Sequence, residues 1–534
     1  MDVRIGSDIQ LAFPYDRSTV EKCKTIPCHV WDPTNKVWRF PLAMASYILE
    51  TFYKELYQAQ IAQLSKLAKV PSVSQIEGVN SSLWPYQQVG VGFLMTRGKA
   101  ILADDRGLGK SIQSFAAAMK LYSEKKIDRI VVVTVNPASM FLHWEHDIRK
   151  HTNVTDIKCI WTSNDIIGNN SLVTVINYEK LSNDNVIAWL AANARRTCLI
   201  LDEVTKIKNY RTQAYQTLAS IKEFPYIFML TGTPVQNSPS ELYAYMALLG
   251  YNVFGSFTRF RDNYAIMERV YTPRGSIDRI AGWKNLQDLG DKVAPFIIKR
   301  TKADVDIELP TKHIMTVPIK LSAEEDTVYK SIVRSLTDCL SLTRDNKTIF
   351  TLISALKEFL NSPELLRESD SETLRNIPMP VSLMSSKEET FMEEIDEIMS
   401  TKSQVVVFTQ YARMAAILTR KINDKFGQIA VQYSGESTNE PIQDFVNGKY
   451  RVLVSTDKGA YGIDLTNANF VINYDHPWNP AIIDQRIDRT HRIGQTQKVF
   501  VINLLVEDEE KIEQYIENAL MTKRAMADEI LNNQ

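Results

Sequence analysis

The chain has 534 residues, 44% apolar and 23% charged, which suits a globular protein of about three or four domains and excludes a low-complexity tail. A net charge of −1 and a pI near 6.7 exclude a protein that coats nucleic acid through overall basicity, so any DNA contact must be a local patch. No run approaches the roughly 18 apolar residues that span a bilayer, and Asp2, Arg4 and Asp8 stand where a signal peptide needs an apolar core.

These features predict no membrane partner and a cytoplasmic protein of a bacterium or a phage-infected cell, nuclear if the source is eukaryotic. The five cysteines form no CxxC pair, which predicts reduced thiols. Cys23 and Cys28 with His29 supply only three of the four ligands of a structural zinc site, so core cysteines are the better reading.

In chain order, FPYDRSTVEKCKTIP predicts a turn and a helix. CHVWDPTNKVWRFPL then predicts two short strands joined at Asp32-Pro33-Thr34-Asn35, with Trp31 and Trp38 either packed in a small core or exposed. This makes residues 1–60 a small α+β accessory domain, followed by a helical linker at 61–79. Apolar runs beginning at Ile130, Ser171, Thr197 and Tyr226 alternate with helical stretches, the pattern of a parallel sheet with crossover helices, and define a first lobe at 80–300. Residues 301–380 read as a hinge and a helical protrusion. A second set of strands, beginning at Gln404, Ile429, Arg451, Asn469 and Lys498, defines a second lobe at 381–534. The fold class is α/β.

The strongest local motif is ILADDRGLGKS, residues 101–111, where an apolar strand meets the helix SIQSFAAAMKLY. Glycines at such a junction leave backbone N–H groups and the positive helix end open to phosphate. Asp104, Gly107, Leu108, Gly109, Lys110 and Ser111 are thus candidate nucleotide ligands, with Lys110 on the β and γ phosphates of ATP and Ser111 on Mg²⁺. The strict GxxxxGK[ST] pattern has Gly where this chain has Asp104, so a plain glycine turn is the other reading. About 90 residues on, CLILDE ends an apolar strand in two carboxylates: Asp202 for Mg²⁺ and Glu203 to take a proton from attacking water. In QRIDRTHRIGQ, residues 485–495, Arg489 and Arg492 fall on one face if the segment is helical. They are either guanidinium donors to the γ-phosphate or a solvated basic face. Gln485 is a candidate catalytic residue in the same segment.

These residues, in this order, resemble the Swi/Snf-type ATPases of helicase superfamily two, over about residues 83–520. LWPYQQVGVGFL, TVNPASMFLHWEHDI, LILDEVTKIKN, MLTGTPVQN, VVVFTQYARMAAIL, VLVSTDKGAYGIDLTNANFVINYDHPWNP and DQRIDRTHRIGQ carry the likeness. It implies two RecA-like lobes and a motor that tracks double-stranded DNA without unwinding it. It also implies Gln87 as the base-reading residue, Gly462 and Asp464 as nucleotide ligands of the second lobe, and Thr231 and Thr233 as coupling residues. Lys299 and Arg300 lie where the lobes connect. The segment PYDRSTVEKCKTIPCHVWDPTNKVWRFPL resembles, over about 30 residues, the HARP-type domain of annealing helicases, which implies branched DNA as substrate.

Departures from the family pattern are Val204-Thr205 where it has Ala-His, which leaves coupling through Thr205 open, and Asp457-Lys458, Ala460 and Asp464 in the motif of the second lobe. The chain lacks the histone-reading modules of eukaryotic remodellers, so a compact bacterial or viral member is expected. The leading expectation is a DNA-dependent ATPase that remodels or anneals branched DNA, with replication, transcription or single-strand-binding proteins as candidate partners. The alternatives are a motor that strips protein from DNA, and a DNA-binding scaffold whose ATP site has weakened.

Overall fold

Parallel strands buried on both faces are written as near-continuous aliphatic runs, because no face is left for polar residues to alternate on. VVVFT and TCLIL are such runs, and each is buried along its whole length. The computed structural model describes residues 1–507 apart from 7, 136–137, 236–237, 273–274, 306–308, 343–345, 368–377, 381–382, 384, 435–439, 458–463, 478–479 and 493. The chain forms two units, one of residues 1–136 with 140–307, the other of 137–139 with 308 onward.

In the first unit, strands β1 (Asp2–Ile5), β2 (Ile9–Ala12), β3 (Val30–Asp32) and β4 (Val37–Phe40) make an antiparallel sheet in the order β1-β2-β4-β3. Helix α1 (Arg17–Thr25) starts where the Asp16 carboxylate accepts the Thr19 N–H at 2.7 Å. The Asp32 carboxylate accepts the N–H groups of Thr34 and Asn35, each at 3.1 Å, and turns the chain from β3 into β4. Trp38 is buried and Trp31 is 46% exposed, their rings 5.5 Å apart, so one tryptophan fills the core and the other faces water. Helices α2 (Ala45–Phe52) and α3 (Gln58–Ala68) follow. The stretch read as a linker is packed in place: Leu64 is fully buried, the Leu67 carbonyl accepts Arg97 Nη1 at 3.4 Å, and Pro71 lies against Gly92.

The first lobe contains β5 (Lys99–Leu102), β6 (Arg129–Thr134), β7 (Ile157–Cys159), β8 (Val173–Asn177), β9 (Thr197–Leu201) and β10 (Tyr226–Leu230). An antiparallel hairpin of β11 (Ala265–Thr272) and β12 (Gly275–Trp283) comes next, then the edge strand β13 (Ile297–Ile298). The sheet is parallel, in the order β13-β5-β10-β9-β6-β8-β7. Helix α4 (Pro85–Arg97) precedes β5, and α5 (Lys110–Ser123) follows it.

The second unit has its own parallel sheet of β14 (Lys312–Ile319), β15 (Val405–Thr409), β16 (Ala430–Tyr433), β17 (Val452–Thr456), β18 (Phe470–Asn473) and β19 (Val499–Val506), ordered β14-β19-β18-β15-β17-β16. The stretch read as hinge therefore contributes the edge strand β14. Its residues Ile314 and Met315 are both about half exposed, so it lacks the buried run by which the other strands announce themselves. Helices Asn346–Asn361 and Ser386–Ser400 pack through Phe359 and Phe391 into the core cluster of this sheet.

Gly90, in α4, permits a close approach beside the glycine loop. A Cβ there would stand 1.9 Å from Gln113 Oε1 and 2.8 Å from Arg300 Nη2. Gly290, inside helix Leu286–Val293, has nothing within 4 Å of such an atom. Gly90→Ala is accordingly expected to cost about 1–3 kcal/mol through overpacking, and Gly290→Ala to gain about 0.5–1 kcal/mol through helix propensity. Thermal melts of the two variants should shift in opposite directions.

Candidate nucleotide site

The loop between β5 and α5 places Gly107 at φ 84° and Gly109 at φ 73°, a region that side chains avoid. Gly109 is doubly constrained, since a Cβ would also lie 2.6 Å from Gln87 Nε2. Lys110 is the first residue of α5, and its Nζ donates to the carbonyls of Asp104 at 2.8 Å and Asp105 at 3.2 Å. Burial pushes this ammonium below its ordinary range, and Glu203, Asp104 and Asp202 push it back up. Ser111 follows on the same helical turn.

The residue that breaks the glycine pattern, Asp104, is fully buried. Its carboxylate accepts Arg300 Nε at 2.9 Å and Nη2 at 2.5 Å, and Gln113 Nε2 at 3.1 Å. Arg300 also donates to Gln113 Oε1 at 2.8 Å and to the Tyr86 carbonyl, and lies over the Tyr86 ring. The backbone repeats the connection, with Ala103 N–H on Ile298 O at 2.8 Å and Asp105 N–H on Arg300 O at 2.9 Å. The Asp104 side chain is thus spent on holding the loop, not offered to a ligand. Gln87 is engaged likewise: its Oε1 accepts the Trp84 N–H at 3.0 Å and its Nε2 donates to Leu108 O at 3.3 Å.

Asp202 and Glu203 follow β9 directly, and Thr231 and Thr233 follow β10, which lies between β5 and β9. The glycine loop, both carboxylates and both threonines therefore share the carboxyl edge of one parallel sheet, where such sheets bind ligands. Asp202 Oδ2 accepts Trp144 Nε1 at 2.9 Å and Thr134 Oγ1 at 3.2 Å, and its carbonyl accepts the Tyr178 hydroxyl at 2.8 Å. Burial raises the Asp202 carboxyl above its usual range and the neighbouring Glu203 raises it further, while Trp144, Thr134 and Lys110 oppose the shift. Glu203 sits at φ 49°, a left-handed conformation rare outside glycine and asparagine. Thr231 is buried, its Oγ1 accepting the Thr233 N–H at 3.0 Å, and Thr205 is half-buried in the 3₁₀ turn Val204–Ile207.

In the second unit the helix Pro480–Ile487 ends before Arg489 and Arg492, so these arginines do not share a helical face. The Thr490 hydroxyl donates to Ile487 O at 3.0 Å, and the Leu465 N–H donates to Arg489 O at 3.0 Å. Arg492 is paired with Asp464 at 3.9 Å, and Gln485 is nearly buried. Gly462 lies outside the described residues. Arg486, 1% exposed, donates to Asp457 at 2.6 Å, to Asp475 Oδ1 at 3.2 Å and to Asn473 Oδ1 at 3.3 Å.

Residues 86–365, more than half of the chain, match the model of the SNF2-related domain. The chain belongs to the SNF2-related family. Residues 386–494 match the helicase conserved C-terminal domain, which makes this SNF2-related chain a helicase-like, ATP-hydrolysing enzyme. It is 27% identical to YwqA of Bacillus subtilis over 89% of its own length and 51% of that protein's, so it spans about half of that relative. It is 26% identical to an uncharacterized ATP-dependent helicase of the same bacterium, YqhH, over 88% of this chain and 84% of the relative. A solved SWI2/SNF2 ATPase core of Sulfolobus solfataricus in complex with dsDNA is 25% identical, with a TM-score of 0.40, over 84% of this chain and 93% of that one.

Against the SNF2-related pattern, the acidic departure Asp457 is matched inside its own lobe by the buried Arg486. Sequence reading passed over Arg486, and also over Arg300 as the partner of Asp104 and Trp144 as a donor to Asp202. The signal for the first was an arginine among aliphatic residues in PAIIDQRI. Among the described residues no group of three metal-ligating side chains is found and no helix is long and apolar enough to cross a membrane.

A carboxyl whose pKa is raised on folding favours the folded state below its unfolded pKa and loses that contribution as pH rises through the folded value. Asp202→Asn removes the buried charge and keeps an oxygen for Trp144 and Thr134. In EDTA near pH 8 it should melt higher than wild type, by about 2–4 °C per kcal/mol relieved, while ATP turnover is lost. The difference in melting temperature should shrink on acidification; an equal difference at both pH values would contradict the raised carboxyl.

Proposed function

We propose that this chain binds ATP with Mg²⁺ at the carboxyl edge of the first-lobe sheet and uses its hydrolysis to move along double-stranded DNA. The observation that carries the reading is the convergence of Lys110, Ser111, Asp202 and Glu203 at that edge in a chain with both helicase domains. Lys110 now rests on two loop carbonyls, acceptors that a phosphate oxygen would outcompete because it carries charge.

Ser111 and Asp202 fit Mg²⁺, which prefers hard oxygen ligands and is usually held by one or two carboxylates together with substrate phosphates. When bound, the ion supplies charge neutralisation on the phosphates. Trp144 and Thr134 hold one Asp202 oxygen, fixing the direction of the other. Glu203, held by the backbone in a strained conformation next to it, is suited to accept the proton of the attacking water. Thr231 and Thr233, just after the strand between the two motifs, are suited to sense the same phosphates.

Duplex DNA as the track, and branched DNA as the preferred substrate, follow from the resemblance of the ordered motifs and of the accessory segment. ATP turnover measured with no DNA, oligothymidylate, duplex and a forked duplex should rise with duplex and most with the fork. Lys110→Ala and Glu203→Gln should each lower turnover about 10²–10³-fold or more. Turnover indifferent to every DNA, or a Lys110→Ala variant as active as wild type, would overturn the proposal.

A further inference from the structure

A groove of about 1860 Å³ opens in the first unit between the accessory sheet and the first lobe. Its lobe wall is made by the amino ends of strands: Lys99 begins β5, Tyr226 begins β10, and Arg195 lies just ahead of β9. The nucleotide site occupies the carboxyl ends of the same strands, so the two sites are separated by a strand length, on the order of 15 Å.

The groove is lined by seven Lys and Arg residues and two carboxylates, in a chain whose net charge is −1. Both carboxylates are already answered, Asp8 by Arg39 and Glu124 by Lys126 at 2.8 Å. Among the described residues no carboxylate lies within ion-pair distance of Arg97, Lys99, Arg195 or Lys222. Arg97 and Lys99 are partly buried as well, and burial alone pushes the Lys99 ammonium below its ordinary range. Four cations without a carboxylate along a low-dielectric crevice attract anions and focus the field on them.

Size selects the kind of anion. Small-molecule sites occupy about 300–1,000 Å³, and this groove exceeds them, so a polymer is the fitting occupant. The half-exposed Val30 and the partly buried Tyr226 interleave with the cations. A duplex presents only phosphate and sugar to a crevice, whereas a single strand also offers bases to apolar and aromatic walls.

We propose that this groove binds single-stranded DNA, with Lys99, Arg195 and Lys222 on its phosphates and Val30 and Tyr226 against its bases. It rests on the reading of the chain as a DNA-directed motor and adds a second strand site, away from the site of hydrolysis.

The test uses the full chain and fluorescein-labelled oligothymidylate of about fifteen nucleotides, a length on the order of one single-strand site, read by anisotropy. Wild type should bind it at low salt. The exposed pair Arg195→Glu with Lys222→Glu should weaken binding by about tenfold or more. It should also flatten the salt dependence by more than one unit of slope, because each phosphate neutralised on a single strand contributes about 0.7. Lys99→Gln should weaken binding in the same sense. Basal turnover and its stimulation by duplex should be unchanged in all of these. Unaltered oligothymidylate binding in the variants, no binding by wild type, displacement one for one by blunt duplex, or equal displacement by polyglutamate would each overturn the groove as a strand site. Weakened oligothymidylate binding by these variants, in a chain that duplex never stimulates, would leave the groove standing and reject the duplex motor instead.

Discussion

The buried carboxylate of Asp104 is the constraint around which the first lobe is arranged. A charge removed from water must be paired and hydrogen-bonded, or its desolvation cost of several kcal/mol is left uncompensated. Asp104 meets that condition through Arg300, almost 200 residues later. The same guanidinium reaches Gln113 on α5 and the Tyr86 carbonyl on α4, so one ion pair ties together the glycine loop, the helix after it and the helix before it. Gly90 exists in that company because no side chain fits there. Since Lys110 Nζ donates to the carbonyl of Asp104, the ammonium inherits its position from that buried ion pair.

What could be read from the chain and what could not divide along a physical line. Central strands such as VVVFT and TCLIL were legible because burial on both faces forces an uninterrupted aliphatic run. The glycine loop and the pair Asp202-Glu203 were legible because their chemistry is local and their spacing follows from strand-to-helix geometry. The edge strand β14 was not, since an edge is half solvated and its residues, KHIMTVPI, mix polar and apolar without clean alternation. The β1–β2 hairpin was missed for a similar reason: four-residue strands carry little pattern. Long-range polar pairs left no local trace. Asp104 looked like a flaw in a motif, and Arg300 like one more basic residue near a crossover.

The second lobe repeats the lesson on a smaller scale. Asp457 reads as a departure from its motif until Arg486 is found against it, with Asp475 and Asn473 completing the shell. Burial raises the Asp457 carboxyl and Arg486 draws it back, so the acidic departure is balanced by a charge from the same lobe. Where such a set is complete, replacing one member alone is strongly destabilising, because its partners stay buried and unpaired.

Glu203 is built on a backbone that a glycine or an asparagine would adopt with less strain. The position is thus subject to two selective pressures that disagree. A library screened for expression or heat resistance alone should drift at this site toward the small residue the dihedral prefers, silently discarding the carboxylate beside Asp202. Consensus-style thermostabilisation of this chain therefore has to exempt one position whose backbone argues for its own replacement.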